Sequence, residues 1–339
     1  MAAPVFARLL PDSCRTMSEK TRALLAEFDD RVSSRDISEK LSYDELRRIL
    51  RNVPRAQRGD DWMERWITLQ YLKRNRPHRT WKLYKKLRDE RLETGRDKEQ
   101  DAFRRRLAQV LHPYDLCQHG LKLPFRNRDA ARDAQCLSEF ITTLADLGYA
   151  SFINSGTLLG AVREGQFVGH DDDFDVAVVL RADGPDQAIG EFYRLFEALQ
   201  ALDRYEIRPL ERTNSPIMKI LMRNDMDHDP HYDLFPAWLI DGKFHIWPYC
   251  SGSLLESDVL PLETRTIAGT ALPVPRDSEK ALALNYGQDW RIPDSGFVFP
   301  WADAREKFTQ FLEIYTNDVR RNRWKAIRKL RFAMLLRRW

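Results

Sequence analysis

Between Asp171 and Leu180 the chain reads Asp-Asp-Asp-Phe-Asp-Val-Ala-Val-Val-Leu, four carboxylates running straight into an apolar segment of β character. Successive strand side chains point to opposite faces, so Asp173 and Asp175 share one face while Phe174 and Val176 share the other. The apolar face requires a core on that side. On the other face, two like charges at a covered strand end require a counter-charge, because desolvation and repulsion both disfavour paired carboxylates. A divalent cation supplies it: Mg²⁺ takes hard oxygen ligands, often one or two carboxylates completed by water and substrate phosphates. Asp171 and Asp172 lie just outside the strand, as outer-shell partners of such an ion or as solvated turn residues. The competing account is a hydrated acidic turn, since acidic clusters are common in loops; the join to an apolar strand and the upstream Gly-Thr favour the cation.

Upstream, Ser155-Gly156-Thr157 follows an expected strand at Tyr149–Asn154 and precedes a short helix expected over Leu158–Arg163. A helix start exposes unpaired N–H groups that favour anions. Gly156 lets backbone approach a phosphate, and Thr157 adds a hydroxyl. The same three residues also make ordinary helix-capping chemistry; their place ahead of the carboxylate strand is what favours phosphate.

Together these residues resemble the LicD/fukutin family of nucleotidyltransferase-fold enzymes, whose motif runs roughly Gly-Thr/Ser-Leu-Leu-Gly-Ala-x-Arg, a glycine-containing turn, then Trp-Asp-x-Asp-x-Asp. Gly156, Thr157, Leu158, Leu159, Gly160, Ala161 and Arg163 match it, as do Asp171, Asp173 and Asp175. Downstream, His231-Tyr232-Asp233-Leu234-Phe235-Pro236 resembles the second acidic strand, with Asp233 as a third carboxylate. Leu272-Pro273-Val274-Pro275 and Tyr286-Gly287-Gln288-Asp289-Trp290 resemble the closing segments. The usual Ile-Pro-Trp before the aspartates is Val168-Gly169-His170 here.

The resemblance implies an α+β protein with a nucleotidyltransferase (polymerase-β-like) mixed-sheet core. It also implies transfer of a phospho-linked group, such as a polyol phosphate or phosphocholine, from a CDP-activated donor to a glycan or lipid-linked glycan hydroxyl. Asp173, Asp175 and Asp233 are the expected catalytic carboxylates and ligands of Mg²⁺ or Mn²⁺, with Asp171 in the outer shell. Gly156, Thr157, Arg163 and Lys219 are the expected phosphate partners, and an arginine suits bidentate contact better than a lysine. Lys219 sits in Ile217-Met218-Lys219-Ile220-Leu221-Met222, where it equally suits an exposed strand position. Two other functions fit parts of the chain: an NMP-transferring nucleotidyltransferase that consumes an NTP, and a non-catalytic nucleic-acid-binding protein. The second gives the carboxylate strand nothing to do.

Composition narrows the field. A chain of 339 residues has room for more than one module, and 55 Lys and Arg against 51 Asp and Glu leave a net charge of +4, too small to signal a polyanion partner. Cys14, Cys117, Cys136 and Cys250 form no CxxC pair, which suits a reducing compartment. His112, Cys117, His119 and Cys136 are too irregularly spaced for a zinc site. No apolar run approaches the ~20 residues of a membrane span, and Arg8, Pro11 and Asp12 interrupt the apolar patch in Met1–Met17. The expectation is a bacterial cytoplasmic enzyme of surface-polysaccharide synthesis, of unspecified oligomeric state.

Three regions are expected: a helical N-terminal region over 1–112, the catalytic domain over 113–299, and a basic helical tail over 300–339. Asp60 and Asp61 are placed to cap a helix carrying Trp62, Trp66, Leu69 and Leu72 at helical spacing. Trp81, Tyr84 and Leu87 repeat that stripe among Lys82, Lys85, Lys86 and Arg88, a pattern that fits a core face better than base stacking. Helices are expected over Arg128–Leu147 and Gln187–Leu202, and strands from Ile217 to Val274 with a hairpin at Ala268-Gly269-Thr270. In the tail, nine Lys and Arg between Arg320 and Arg338 alternate with Trp324, Ile327, Leu330 and other apolar residues. Residues 317–339 therefore suit peripheral contact with an anionic membrane, core packing or a partner alike.

Overall fold

The computed structural model describes residues 17–33, 42–117, 120–208, 210, 215–222, 230–294 and 297–319. The first sixteen residues, His119 and the basic tail from Arg320 onward lie outside them. The chain divides into two compact units, Met1–Leu123 and Pro124–Trp339. Among the described residues no helix is long and apolar enough to cross a membrane.

The first unit is helical: α1 (Glu19–Ser33), α2 (Tyr43–Asn52), α3 (Asp60–Leu72), α4 (Pro77–Glu93) and α5 (Asp97–Leu111), closed by a ribbon of β1 (Asp115–Cys117) and β2 (Gly120–Lys122). Leu25 and Phe28 of α1 meet Leu46, Ile49 and Leu50 of α2 and Leu69 of α3 in one core. Ile67 and Tyr71 of α3 meet Tyr84 and Leu87 of α4 and Phe103, Leu107 and Leu111 of α5 in another. The aromatic stripe of α4 thus packs inward, with Trp81 stacked on Tyr84 at 5.5 Å. One expectation is corrected here. The N-cap of α3 is Gly59, and no side chain caps the helix. Asp60 instead binds Arg91 and Arg96, at 3.2 and 2.7 Å, while Arg91 also pairs with Glu64 at 2.8 Å. The buried arginine draws the carboxylate away from the backbone.

The second unit runs α6 (Ala130–Asp146), β3 (Ser151–Ile153), α7 (Ser155–Arg163), β4 (Phe174–Val179), α8 (Pro185–Gln200), β5 (Tyr205–Ile207), β6 (Met218–Met222), β7 (His231–Ile240), β8 (Lys243–Ile246), β9 (Cys250–Leu255), α9 (Glu256–Val259), β10 (Glu263–Ile267), β11 (Thr270–Val274), α10 (Ser278–Tyr286) and α11 (Trp301–Lys307). It is an α+β arrangement around a mixed seven-stranded sheet in the order β3-β4-β7-β6-β5, extended from β7 through β8 to β9. Only β4 and β7 run parallel; every other pairing in the sheet is antiparallel. The expected hairpin forms as β10 and β11, turning at Ala268 and Gly269.

Alternation explains the layering. Phe174, Val176 and Val178 of β4 are fully buried, as are Leu137, Phe140 and Leu144 of α6 and Leu195 and Leu199 of α8. Residues 309–319 are helical, and Phe308, Phe311 and Tyr315 join the same core. Phe311 stacks on Trp238 of β7 at 4.6 Å. The start of the expected tail is therefore part of the sheet domain's packing.

Candidate active site

The parallel pairing of β4 with β7 sets the site. Its register places Phe174 opposite Tyr232 and Asp175 opposite Asp233. Because the side-chain period is two, the aromatic pair and the acidic pair must face opposite ways. Phe174 and Tyr232 lie 5.4 Å apart, and Tyr232 stacks at 4.2 Å on Phe140 of α6. That packing fixes the strands so that Asp175 and Asp233 are level on the other face. On the far side of β7, antiparallel β6 puts Lys219 in register with Asp233, and Lys219 Nζ donates to Asp233 Oδ2 at 2.5 Å. A row of acid, acid and base crosses three adjacent strands.

The turn before β4 adds the remaining acids. Oxygen atoms of Asp171, Asp172 and Asp173 lie within 4.8 Å of one another. Asp173 is in this turn, one residue ahead of the strand. The first turn of α7 leans on the same group. The Gly156 N–H donates to Asp175 Oδ2 at 2.8 Å, and the Asp175 N–H donates to Thr157 Oγ1 at 2.9 Å. A Cβ on Gly156 would stand 2.7 Å from Asp171 Oδ2 and 3.2 Å from Asp175 Oδ2, so the absent side chain is what lets the helix start approach both carboxylates.

The electrostatics follow from this crowding. Burial, then the charges of Asp173, Asp171 and Asp233, push the Asp175 carboxyl well above the usual range, against the Gly156 N–H, which favours its ionised form. Burial first and Asp173 next raise Asp233 to about 6, with Lys219 working the other way. Burial disfavours the Lys219 ammonium, but Asp233 outweighs it and the lysine's pKa rises. Several carboxylates thus sit where their charge is costly unless a cation joins them. The donors are all carboxylate oxygens, the hard ligand set that suits Mg²⁺ or Mn²⁺.

Of the residues singled out from the sequence, Gly156, Thr157, Asp171, Asp173, Asp175, Lys219 and Asp233 are brought together. Arg163 stands at the other end of α7, in an ion pair with Glu164 at 2.5 Å. The fold brings further residues to the site. Asn154 is fully buried, donates its N–H to the Asp175 carbonyl at 2.9 Å, and accepts from the Tyr249 hydroxyl at 2.5 Å. Ser155 opens α7 with φ +40°, a conformation rarely held without support, and its Oγ accepts from Asn285 Nδ2 at 3.2 Å. Burial and then the charges of Asp175 and Asp171 raise the phenol of the adjacent Tyr286. Asn285 is 130 residues from its partner, beyond any local sequence signal. Ser155 and Tyr286 had flags, in the Ser-Gly-Thr turn and the Tyr-Gly segment quoted above.

Residues 148–277 match the family model described as LicD/FKTN/FKRP, nucleotidyltransferase domain. The class so defined is that of transferases. The matched segment is similar to the LicD type and spans α7, both acidic strands and the β10–β11 hairpin. No curated protein matches the chain.

Proposed function

We propose that the chain is a cation-dependent transferase of nucleotidyltransferase fold. It moves a phospho-linked group, a polyol phosphate or phosphocholine in kind, from a CDP-activated donor to a glycan hydroxyl in bacterial surface-polysaccharide synthesis. The observation that carries this is the register of Asp175 with Asp233 on adjacent parallel strands, beside the Asp171–Asp173 turn and the start of α7.

Asp173, Asp175 and Asp233 would hold Mg²⁺ or Mn²⁺, with Asp171 behind them. Such an ion supplies positive charge to the donor's diphosphate oxygens. The acceptor hydroxyl oxygen forms the new bond to phosphorus as the bond to the CMP leaving group breaks. Asp233, paired with Lys219, either shares in holding the ion or accepts the hydroxyl proton. Lys219 holds that carboxylate in place and offers its ammonium to phosphate oxygens. Little covalent work falls to the protein, so positioning and charge neutralisation carry the rate.

The family description favours a second reading, NMP transfer from an NTP. The nucleic-acid reading loses support, because Tyr84 and Leu87 of the aromatic stripe are buried. Incubating the purified chain with Mn²⁺ and a panel of CDP-linked donors and glycan acceptors should release CMP, and a chelator should stop it. Pyrophosphate released from NTPs instead would establish the second reading.

A further inference from the structure

The acidic turn is held from behind by a buried guanidinium. The Arg128 side chain is 2% exposed and pairs with Asp133, which is fully buried, at 2.6 Å. Burying such a pair costs desolvation on both sides, and replacing both partners by apolar residues is often neutral or stabilising. Stability alone is therefore a weak reason for the pair, and what else the arginine holds becomes the question.

Its Nη1 donates to the backbone carbonyl of Asp172 at 2.8 Å. Its face lies over Phe125, 4.5 Å from the centroid, and over Phe174, the first residue of β4, at 5.4 Å. The neighbouring backbone grips the same turn: the Phe125 N–H donates to the Asp171 carbonyl at 2.8 Å, and the Arg126 N–H to the Gly169 carbonyl at 3.1 Å. The turn that carries three converging carboxylates is thus fixed through its carbonyls.

We propose that Arg128 is a positioning residue that sets the Asp171–Asp173 turn for cation binding. This rests on the metal-dependent reading above. Repulsion among the three carboxylates works to open the turn, and the guanidinium resists it with two directional bonds from one rigid plane while Phe125 and Phe174 hold that plane still. A lysine has a single ammonium and no plane, so it cannot keep the carboxylate and the carbonyl in the same geometry.

The test uses the full chain and Mn²⁺ alone, titrated by electron paramagnetic resonance, with the thermal midpoint measured in parallel. Arg128→Met/Asp133→Leu removes both buried charges together and strands neither. It should fold with a near-wild-type midpoint and bind Mn²⁺ about 10- to 100-fold more weakly, as loss of an outer-shell partner typically does. Arg128→Lys, which keeps a positive charge near Asp133, should bind Mn²⁺ at least about 10-fold more weakly. In CMP release, both should raise the Mn²⁺ concentration needed for half-maximal rate more than they lower the rate at saturating Mn²⁺. Wild-type Mn²⁺ affinity in either folded variant overturns the role of Arg128 and leaves the metal reading intact. A wild-type chain that binds no Mn²⁺ overturns both.

Discussion

At the scale of single residues, Asp175 and Asp233 divide the work by environment. Asp175 carries two bonds to α7, from its carboxylate to the Gly156 N–H and from its own N–H to Thr157. Asp175→Ala removes a central ligand and several kcal/mol of charge stabilisation, so transfer should fall by about 10³-fold or more with far-ultraviolet circular dichroism unchanged. Retained turnover in that variant would remove the metal model. Asp233 adds a pH signature. Its folded pKa, about 6, lies above the ordinary 3.8, so between those values the native state binds more protons than the unfolded one. Metal-free stability should therefore fall as pH rises through that window, and Asp233→Asn should flatten the fall. Urea midpoints measured in chelator should show the variant's stability rising relative to wild type between about pH 4 and 6 and levelling off above; a difference that stays constant or shifts in favour of wild type over that interval would contradict the assignment.

At the scale of elements, α7 contains two glycines with opposite duties. Gly160 is packed against backbone: a Cβ there would stand 2.4 Å from the Gln166 carbonyl oxygen and 2.8 Å from the Val168 nitrogen. Backbone cannot swing aside, so Gly160→Ala should cost about 1–3 kcal/mol of stability by overpacking. Gly156 instead faces the ends of Asp171 and Asp175, which can rotate away. Gly156→Ala should leave stability within about 1 kcal/mol, helped by alanine's higher helix propensity, while Mn²⁺ affinity and transfer drop. Denaturant midpoints set against Mn²⁺ titrations separate the two, and equal effects on both measurements in the two variants would show that the helix plays one structural part only. Local pattern reveals α7, with its apolar Leu158 and Leu159 and its small residues. It does not reveal that Ser155 needs Asn285, because that bond depends on α10 packing against α7.

At the scale of the molecule, each unit has its own core, so unfolding should not follow a single two-state curve. Arg91 anchors the first unit: it is 2% exposed and bound to Glu64 and Asp60. Arg91→Ala takes one of two arginines from each carboxylate, since Glu64 keeps Arg106 and Asp60 keeps Arg96, and should destabilise that unit by about 1–3 kcal/mol. Tryptophan fluorescence cannot isolate it, since both units contain tryptophans, but hydrogen exchange read by peptide should. Protection should be lost over α3 to α5 and kept over β4 and β7. Loss of protection across the sheet as well would mean that the units unfold as one.

The amino-acid sequence by itself determined the acidic strand ends, the helices and strands around them and the family of the matched segment, because strand alternation, helical spacing and glycine-bearing turns are local rules. Only the tertiary structure decided that Asp175 and Asp233 meet through a parallel pairing, that Lys219 closes the row from the third strand, and that Arg128 lies beneath the acidic turn. Strand order and register arise from how separate apolar faces fill one core, and partners chosen that way carry no signature in the residues beside them.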